Sequence, residues 1–269
     1  MKNRVLSALV LIPVVLAALW LGGWPFTFLA AVLFGIAAWE FVRLFSLQGM
    51  ALSPLVIFAH LLVWLAYGRW RHPGILALGL PGVLLLSVAE QIFTHRFTGA
   101  SVARWALNVA GSLYLGVGGA YLLRVRWMAD GRWWLLFTLA TVWIADSAAY
   151  FVGRTWGRHK MAPLISPRKS WEGYAAGVGA AVLTGFLVGR LAPLKVGAFP
   201  VTSWRGVGLG ALLALLTPLG DLFISLMKRE VGVKDTSDLI PGHGGMLDRL
   251  DSLLWAGILT WLFVTLLVP

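Results

Sequence analysis

Apolar runs long enough to cross a bilayer follow one another from end to end of the chain, at about residues 5–22, 25–43, 52–67, 74–94, 104–123, 133–153, 173–193, 204–224 and 252–268. Glycine, proline or charge interrupts them, as expected where helices stop. At 1.5 Å per residue, a run of about 20 residues covers the ~30 Å hydrocarbon layer, and the alternating ten-residue pattern of a membrane β-barrel is absent. The pattern therefore predicts an all-α, polytopic integral membrane protein with about nine transmembrane helices. Lys2 and Arg4 precede the first run, which carries Pro13 and lacks a small-x-small cleavage site, so it is read as an uncleaved first helix.

Polar positions divide the chain unevenly. Residues 1–140 hold only Glu40, Glu90 and Asp130 as acids, near the ends of runs or in loops, and read as interfacial groups on a scaffold of transmembrane helices. Residues 141–269 hold the other acids and two long polar loops, 154–172 and 225–251. This half is expected to be catalytic. Two spans separate the loops, which places both on the same face. With the N-terminus inside, most of the 22 Lys and Arg residues fall on the inner face, although Arg69, Arg71, Arg124, Arg126 and Arg132 fall outside.

Composition sharpens this picture. The chain is 59% hydrophobic and 12% charged, with 15 tryptophans and a mean hydropathy of +0.82, far from the quarter of charged residues in soluble domains. Its net charge of +11 fits membrane orientation and anionic lipid, so no nucleic-acid partner is expected. There is no cysteine, which excludes disulfides and thiolate metal sites; a bound metal must sit on oxygen. Gly173, Gly177, Gly206 and Gly210 open no βαβ unit and read as close helix packing.

Two polar constellations carry the chemistry. In the first, Asp146, Tyr150 and Gly153 share a helical face by i, i+4, i+7 spacing, and Arg154, Arg158, Lys160, Arg168 and Lys169 follow in a loop stiffened by Pro163 and Pro167. Arginine forks and lysine point charges together suit phosphates, whereas topology alone would explain their sign but not their density. Ser170 and Glu172 prepare the next helix. The second constellation holds six of the eleven acids: Asp221, Glu230, Asp235, Asp238, Asp248 and Asp251. Gly220 and Asp221 end one span, Lys228, Arg229 and Lys234 follow, and Pro241 to Gly245 make a turn before Asp248, Arg249 and Asp251 at the start of the last helix. Asp248 and Asp251 lie three apart on one face, and with a third carboxylate they can hold a divalent cation. The plainer readings are that the aspartates cap a helix and that His243 bonds the backbone of its turn.

At these residues the sequence resembles the phosphatidate cytidylyltransferase family, also called CDP-diacylglycerol synthases. The family pattern S-x-x-K-R, four residues, K-D, a spacer and P-x-H-G-G-x-x-D-R-x-D is met by Ser225, Lys228, Arg229, Lys234, Asp235, Pro241, His243, Gly244, Gly245, Asp248, Arg249 and Asp251. Two upstream patterns are met by Asp146, Ala149, Tyr150, Gly153 and Arg154, then by Ser166, Pro167, Lys169, Ser170, Glu172 and Gly173, with Arg168 and Ser170 standing where Lys and Thr are usual. The resemblance implies a magnesium-dependent enzyme of the inner membrane, active site facing the cytoplasm and assembled as a homodimer, that converts CTP and phosphatidic acid to CDP-diacylglycerol and pyrophosphate. Asp221, Asp248 and Asp251 would hold Mg²⁺. Lys228, Arg229 and Arg249, with Arg168 and Lys169, would neutralise pyrophosphate and lipid phosphate, and Asp146 would complete a second cation site or position Lys169. Tyr150, Ser170, Glu172, Lys234, Asp235, His243, Gly244 and Gly245 complete the expected substrate contacts. Two alternatives are a CTP-dependent lipid-alcohol kinase, which would release CDP, and a cation-coupled transporter, which would be expected to show an internal repeat that is missing here.

Overall fold

A computed structural model describes residues 2–93, 99–195, 199–240 and 244–268. It is a bundle of ten helices: α1 (Lys2–Leu21), α2 (Gly23–Ser46), α3 (Pro54–Trp70), α4 (Pro73–Phe93), α5 (Ser101–Trp127), α6 (Gly131–Trp156), α7 (Trp171–Lys195), α8 (Ser203–Leu216), α9 (Pro218–Glu230) and α10 (Leu247–Leu267). Among the described residues, seven stretches are long and apolar enough to cross a membrane, with α8 and α9 forming one of them; α3 and the end of α1 are shorter apolar helices. The all-α membrane architecture expected from the pattern is present. The helices follow the expected runs, and seven stretches among the described residues reach the length of a crossing where nine were expected.

Local chemistry sets several boundaries. Ser53 accepts a hydrogen bond from the Val56 N–H at 3.2 Å and is followed by Pro54, a residue suited to the first helical turn. Thr202 caps α8 in the same way through the Arg205 N–H. The expected continuous run at 204–224 is broken at Thr217, because Pro218 offers no N–H and its ring clashes with the preceding turn. The break matters to function: Asp221, read from the sequence as the end of a span, lies in the first turn of a new helix.

The core lies where α2, α5, α6 and α10 meet, with Phe34, Phe41, Leu115, Leu123, Trp134 and Leu254 buried. Inside it, Thr138 of α6 and Thr260 of α10 share a hydrogen bond of 2.7 Å, one way to satisfy hydroxyls away from water. α6 and α7 approach through small residues as expected: a Cβ at Gly173 would lie 2.6 Å from the Ala149 carbonyl oxygen. That contact seats the first polar loop beside the last turns of α6. Large apolar side chains on α4, such as Leu78, Leu85 and Phe93, point outward, as lipid-facing residues do.

Candidate active site

The loop after α6 folds into a hairpin of two short antiparallel strands, β1 (Lys160–Ala162) and β2 (Ser166–Ser170). This small sheet adds to the all-α expectation without changing its class. Glu172 anchors the hairpin by accepting from the His159 ring Nδ1 at 2.6 Å and from the His159 N–H at 3.1 Å. Ser170 is buried, and its hydroxyl accepts from the Gly173 N–H at 3.2 Å, capping α7. Both residues were expected to touch substrate. Glu172 is instead used in fixing the loop, and Ser170 does so too while also lining the cavity described next.

A cavity of about 890 Å³ opens between this hairpin, α6, the start of α9 and the start of α10. The two polar loops therefore meet at one end of the bundle, as the spacing of spans predicts. Lys169 crosses between them: its Nζ lies 2.6 Å from Asp221 Oδ2 and 3.5 Å from the Pro218 carbonyl oxygen. Asp146, Asp221 and Asp251 lie within electrostatic reach of one another and of Lys169, and Arg249 acts on Asp146. Lys228, largely buried, donates to Asp248 Oδ1 at 2.5 Å. Arg154, Lys160 and Arg168 complete a cationic wall, and Tyr150 stands beside Arg154, whose Nη1 donates to its hydroxyl at 3.2 Å.

The acids divide differently from the sequence-based expectation. Asp248 is engaged at both oxygens, since Oδ2 accepts from the Thr236 N–H and hydroxyl at 2.9 Å each and from the Gly245 N–H at 3.1 Å. It faces Thr236 and Gly245, whereas Asp251 lies within electrostatic reach of Asp221 and Asp146. Among the described residues no three of His, Asp and Glu converge as metal ligands, so the expected Asp221, Asp248 and Asp251 triad is not assembled. The physical reason is that two ammonium groups, of Lys169 and Lys228, already neutralise Asp221 and Asp248. Donor chemistry still suits a hard divalent cation: Asp146, Asp221 and Asp251 offer carboxylate oxygens, and the Asp221 Oδ1 accepts from the Ser225 hydroxyl at 3.2 Å.

Several other expectations also shift. Arg229 is outside the cavity lining and donates to the carbonyl oxygens of Ile165, at 3.2 Å, and Val233, at 3.1 Å, joining the two loops rather than facing phosphate. Lys234 is exposed and lies off the cavity, while Asp235 lines it. Gly244 and Gly245 act through the room they leave: Gly244 has φ +73°, and its missing Cβ would meet Asp248 Oδ2 at 3.0 Å. His243 lies outside the described residues.

Sequence reasoning missed Glu40. Read as an interfacial group, it is fully buried and accepts from the Ser237 hydroxyl at 2.6 Å and the Leu247 N–H at 2.7 Å, directly behind the site. A signal was present, because Ala37 and Leu44, at i−3 and i+4, place Glu40 on the buried stripe of α2.

The chain matches the Cytidylyltransferase family over residues 2–267. It is 34% identical to the phosphatidate cytidylyltransferase of Mycobacterium bovis over 254 residues, covering 86% of this chain and 78% of the relative. The Brucella suis phosphatidate cytidylyltransferase is 35% identical over 98% of this chain and 93% of its own length, and that of Haemophilus influenzae is 36% identical over 94% of each.

Proposed function

The chain belongs to the cytidylyltransferase family, and on that premise we propose that it transfers the cytidylyl group of CTP to phosphatidic acid, giving CDP-diacylglycerol and pyrophosphate in phospholipid synthesis. The observation that carries this reading is the cavity itself. Its walls combine Lys169, Lys228, Arg168 and Arg249 with a cluster of carboxylates at the end of an apolar bundle, where a lipid headgroup and a water-borne nucleotide can meet.

A phosphate oxygen of phosphatidic acid attacks the α-phosphorus of CTP, a new P–O bond forms, and the bond from the α-phosphorus to the bridging oxygen breaks as pyrophosphate leaves. The nucleophile is already ionised at neutral pH, so the site needs alignment and charge neutralisation more than a general base. Lys169 and Arg168 on the hairpin, with Lys228 and Arg249 on the opposite wall, are placed to offset negative charge on the two phosphate groups and on the leaving oxygen. The lysines are held in place by Asp221 and Asp248 until phosphate competes for them. Mg²⁺, when bound, would supply further neutralisation of the triphosphate, and Asp221 and Asp251, with Asp146 as a third carboxylate, are the residues to hold it.

The deciding experiment incubates the purified protein in detergent with labelled CTP and phosphatidic acid, with and without Mg²⁺. Release of pyrophosphate with a labelled lipid product is the expected result. Release of CDP would indicate a kinase, and no nucleotide consumption would return the transporter reading. The proposal extends to a homodimer in the inner membrane with the cavity toward the cytoplasm. Because the chain has no cysteine, Leu164→Cys, on the fully exposed hairpin tip, should label only from the cytoplasm, and Asp130→Cys only from the other side.

A further inference from the structure

Glu40 comes from α2, 196 residues or more before its partners Thr236, Ser237, Met246 and Leu247, yet its carboxylate takes four donors there. These are the Ser237 hydroxyl at 2.6 Å, the Thr236 hydroxyl at 3.1 Å, the Met246 N–H at 2.9 Å and the Leu247 N–H at 2.7 Å. The first turn of α10 has no side-chain cap of its own. Glu40 supplies one from another helix, satisfying N–H groups that a helix start leaves open and placing negative charge at the positive end of the helix dipole. Among the described residues no Lys, Arg or His pairs with it, so the N-terminus of α10 and the two hydroxyls are its compensation. Charge and turn hold each other in place.

The contact leads into the cavity through one residue. The Thr236 hydroxyl lies 3.1 Å from Glu40 Oε2 and 2.9 Å from Asp248 Oδ2, and its single proton serves one of them at a time. Asp248 in turn holds Lys228, which lines the cavity. Gly245 makes the approach possible, since a Cβ there would fall 2.5 Å from Glu40 Oε2. We propose that Glu40 is a positioning residue for the transfer: a buried carboxylate from the N-terminal half that caps α10 and ties Thr236 and Ser237 to its start, so that Asp248 presents Lys228 to the substrates. The inference rests on the cavity being the transfer site.

The test compares Glu40→Asp, Glu40→Gln and Glu40→Ala, purified in detergent and assayed per monodisperse molecule for pyrophosphate release. Glutamine keeps the size but turns an amide toward N–H donors, so kcat is expected to fall about 10- to 100-fold with the KM for CTP changed less than about threefold. Glu40→Asp should recover part of that rate, a rescue that packing alone would not produce. Amide hydrogen exchange over residues 233–240 and 244–247 should quicken in Glu40→Gln whether or not substrate is present. Should the charge-loss variants fail to fold, Thr236→Val leaves Glu40 its Ser237, Met246 and Leu247 donors and Asp248 its bond from the Thr236 N–H, and removes only the hydroxyl that bridges the two carboxylates; it too should lose kcat. Normal kcat in folded Glu40→Gln, unchanged exchange in the turn, or normal kcat in Thr236→Val would overturn the proposal. If the unmutated protein releases no pyrophosphate, the transfer reading fails instead, and the exchange measurement still judges Glu40.

Discussion

At the end of the bundle that carries the cavity, Lys169 and Lys228 each lie within 2.6 Å of a carboxylate, whereas at the far end Arg69, Arg124 and Arg132 lie over aromatic rings. The Arg69 guanidinium stands 4.0 Å from the Trp127 ring centre and 5.0 Å from that of Trp24, and Arg124 stands 4.6 Å from Trp261. Arg126 donates to the Leu19 carbonyl oxygen at 2.8 Å. These are four of the five arginines that fell on the wrong side of the positive-inside count. Their partners explain the exception: guanidinium is weakly hydrated and stacks on rings, so these charges can be built into a packed interface as structure. At the cavity, by contrast, Lys169 and Lys228 are each held by a carboxylate beside open space, an arrangement in which phosphate can compete for the cation. Charge of one sign is thus spent on packing at one end and kept exchangeable at the other.

The largest expected effect breaks the exchangeable end at its centre. Asp221→Asn removes the partner of Lys169 and one carboxylate from the candidate cation site, while asparagine remains acceptable in a first helical turn. Turnover should fall ~100-fold or more, a loss of about 2.7 kcal/mol at ~1.36 kcal/mol per factor of ten, with the melting temperature little changed and the Mg²⁺ requirement raised. Near-normal turnover at saturating CTP and Mg²⁺ would show that the pair is structural, as the arginines are.

The two ends were legible in the sequence to different degrees, for physical reasons. Asp146, Lys169, Asp221, Asp248 and Asp251 announce themselves because carboxylates and ammonium groups are costly beside apolar spans, and the structure gathers them around one cavity. Their division of labour was not legible, since i, i+3 spacing puts Asp248 and Asp251 on one helical face but does not say that Thr236 and Gly245 saturate Asp248. Glu40 was hidden by distance, because its partners lie some 200 residues away and a lone acid near a helix end has a simpler explanation. The break at Pro218 was readable from the proline itself, but the apolar run on both sides masked it. At the far end the arginines and tryptophans were each visible; their stacking depends on helices α2, α3, α5 and α10 meeting, which periodicity does not encode.

Lys169→Ala sharpens the comparison with an intermediate effect. It removes one charge-assisted contact of about 1.5–3 kcal/mol, so kcat/KM should fall roughly 10- to 150-fold, with Asp221 left uncompensated beside Asp146 and Asp251. Lys169→Arg should recover only part of the loss, because a planar fork replaces a point charge in a narrow crossing. Initial rates over a grid of CTP and phosphatidic acid concentrations would show which substrate the lysine meets. Unchanged kinetics for both would return the hairpin to a purely topological role.

The smallest effect on catalysis is expected from Arg69→Met, and it tests the far end on its own terms. Methionine keeps length and apolar bulk between Trp24 and Trp127 but removes the cation. Two terms oppose each other. Lost cation–π attraction costs about 1–2 kcal/mol in a partly desolvated setting, whereas the Arg69 Nε, buried without a hydrogen-bond partner among the described residues, carries a penalty that the substitution relieves. The net should be a destabilisation of about 1 kcal/mol or less, a fall in melting temperature of a few degrees for a chain of this size. Turnover per folded molecule should not change, because Arg69, Trp24 and Trp127 are not among the residues that line the cavity. If Arg69→Met instead kept its melting temperature and lost turnover, charge at the far end would be coupled to the site, and the contrast between built-in and exchangeable cations would have to be abandoned.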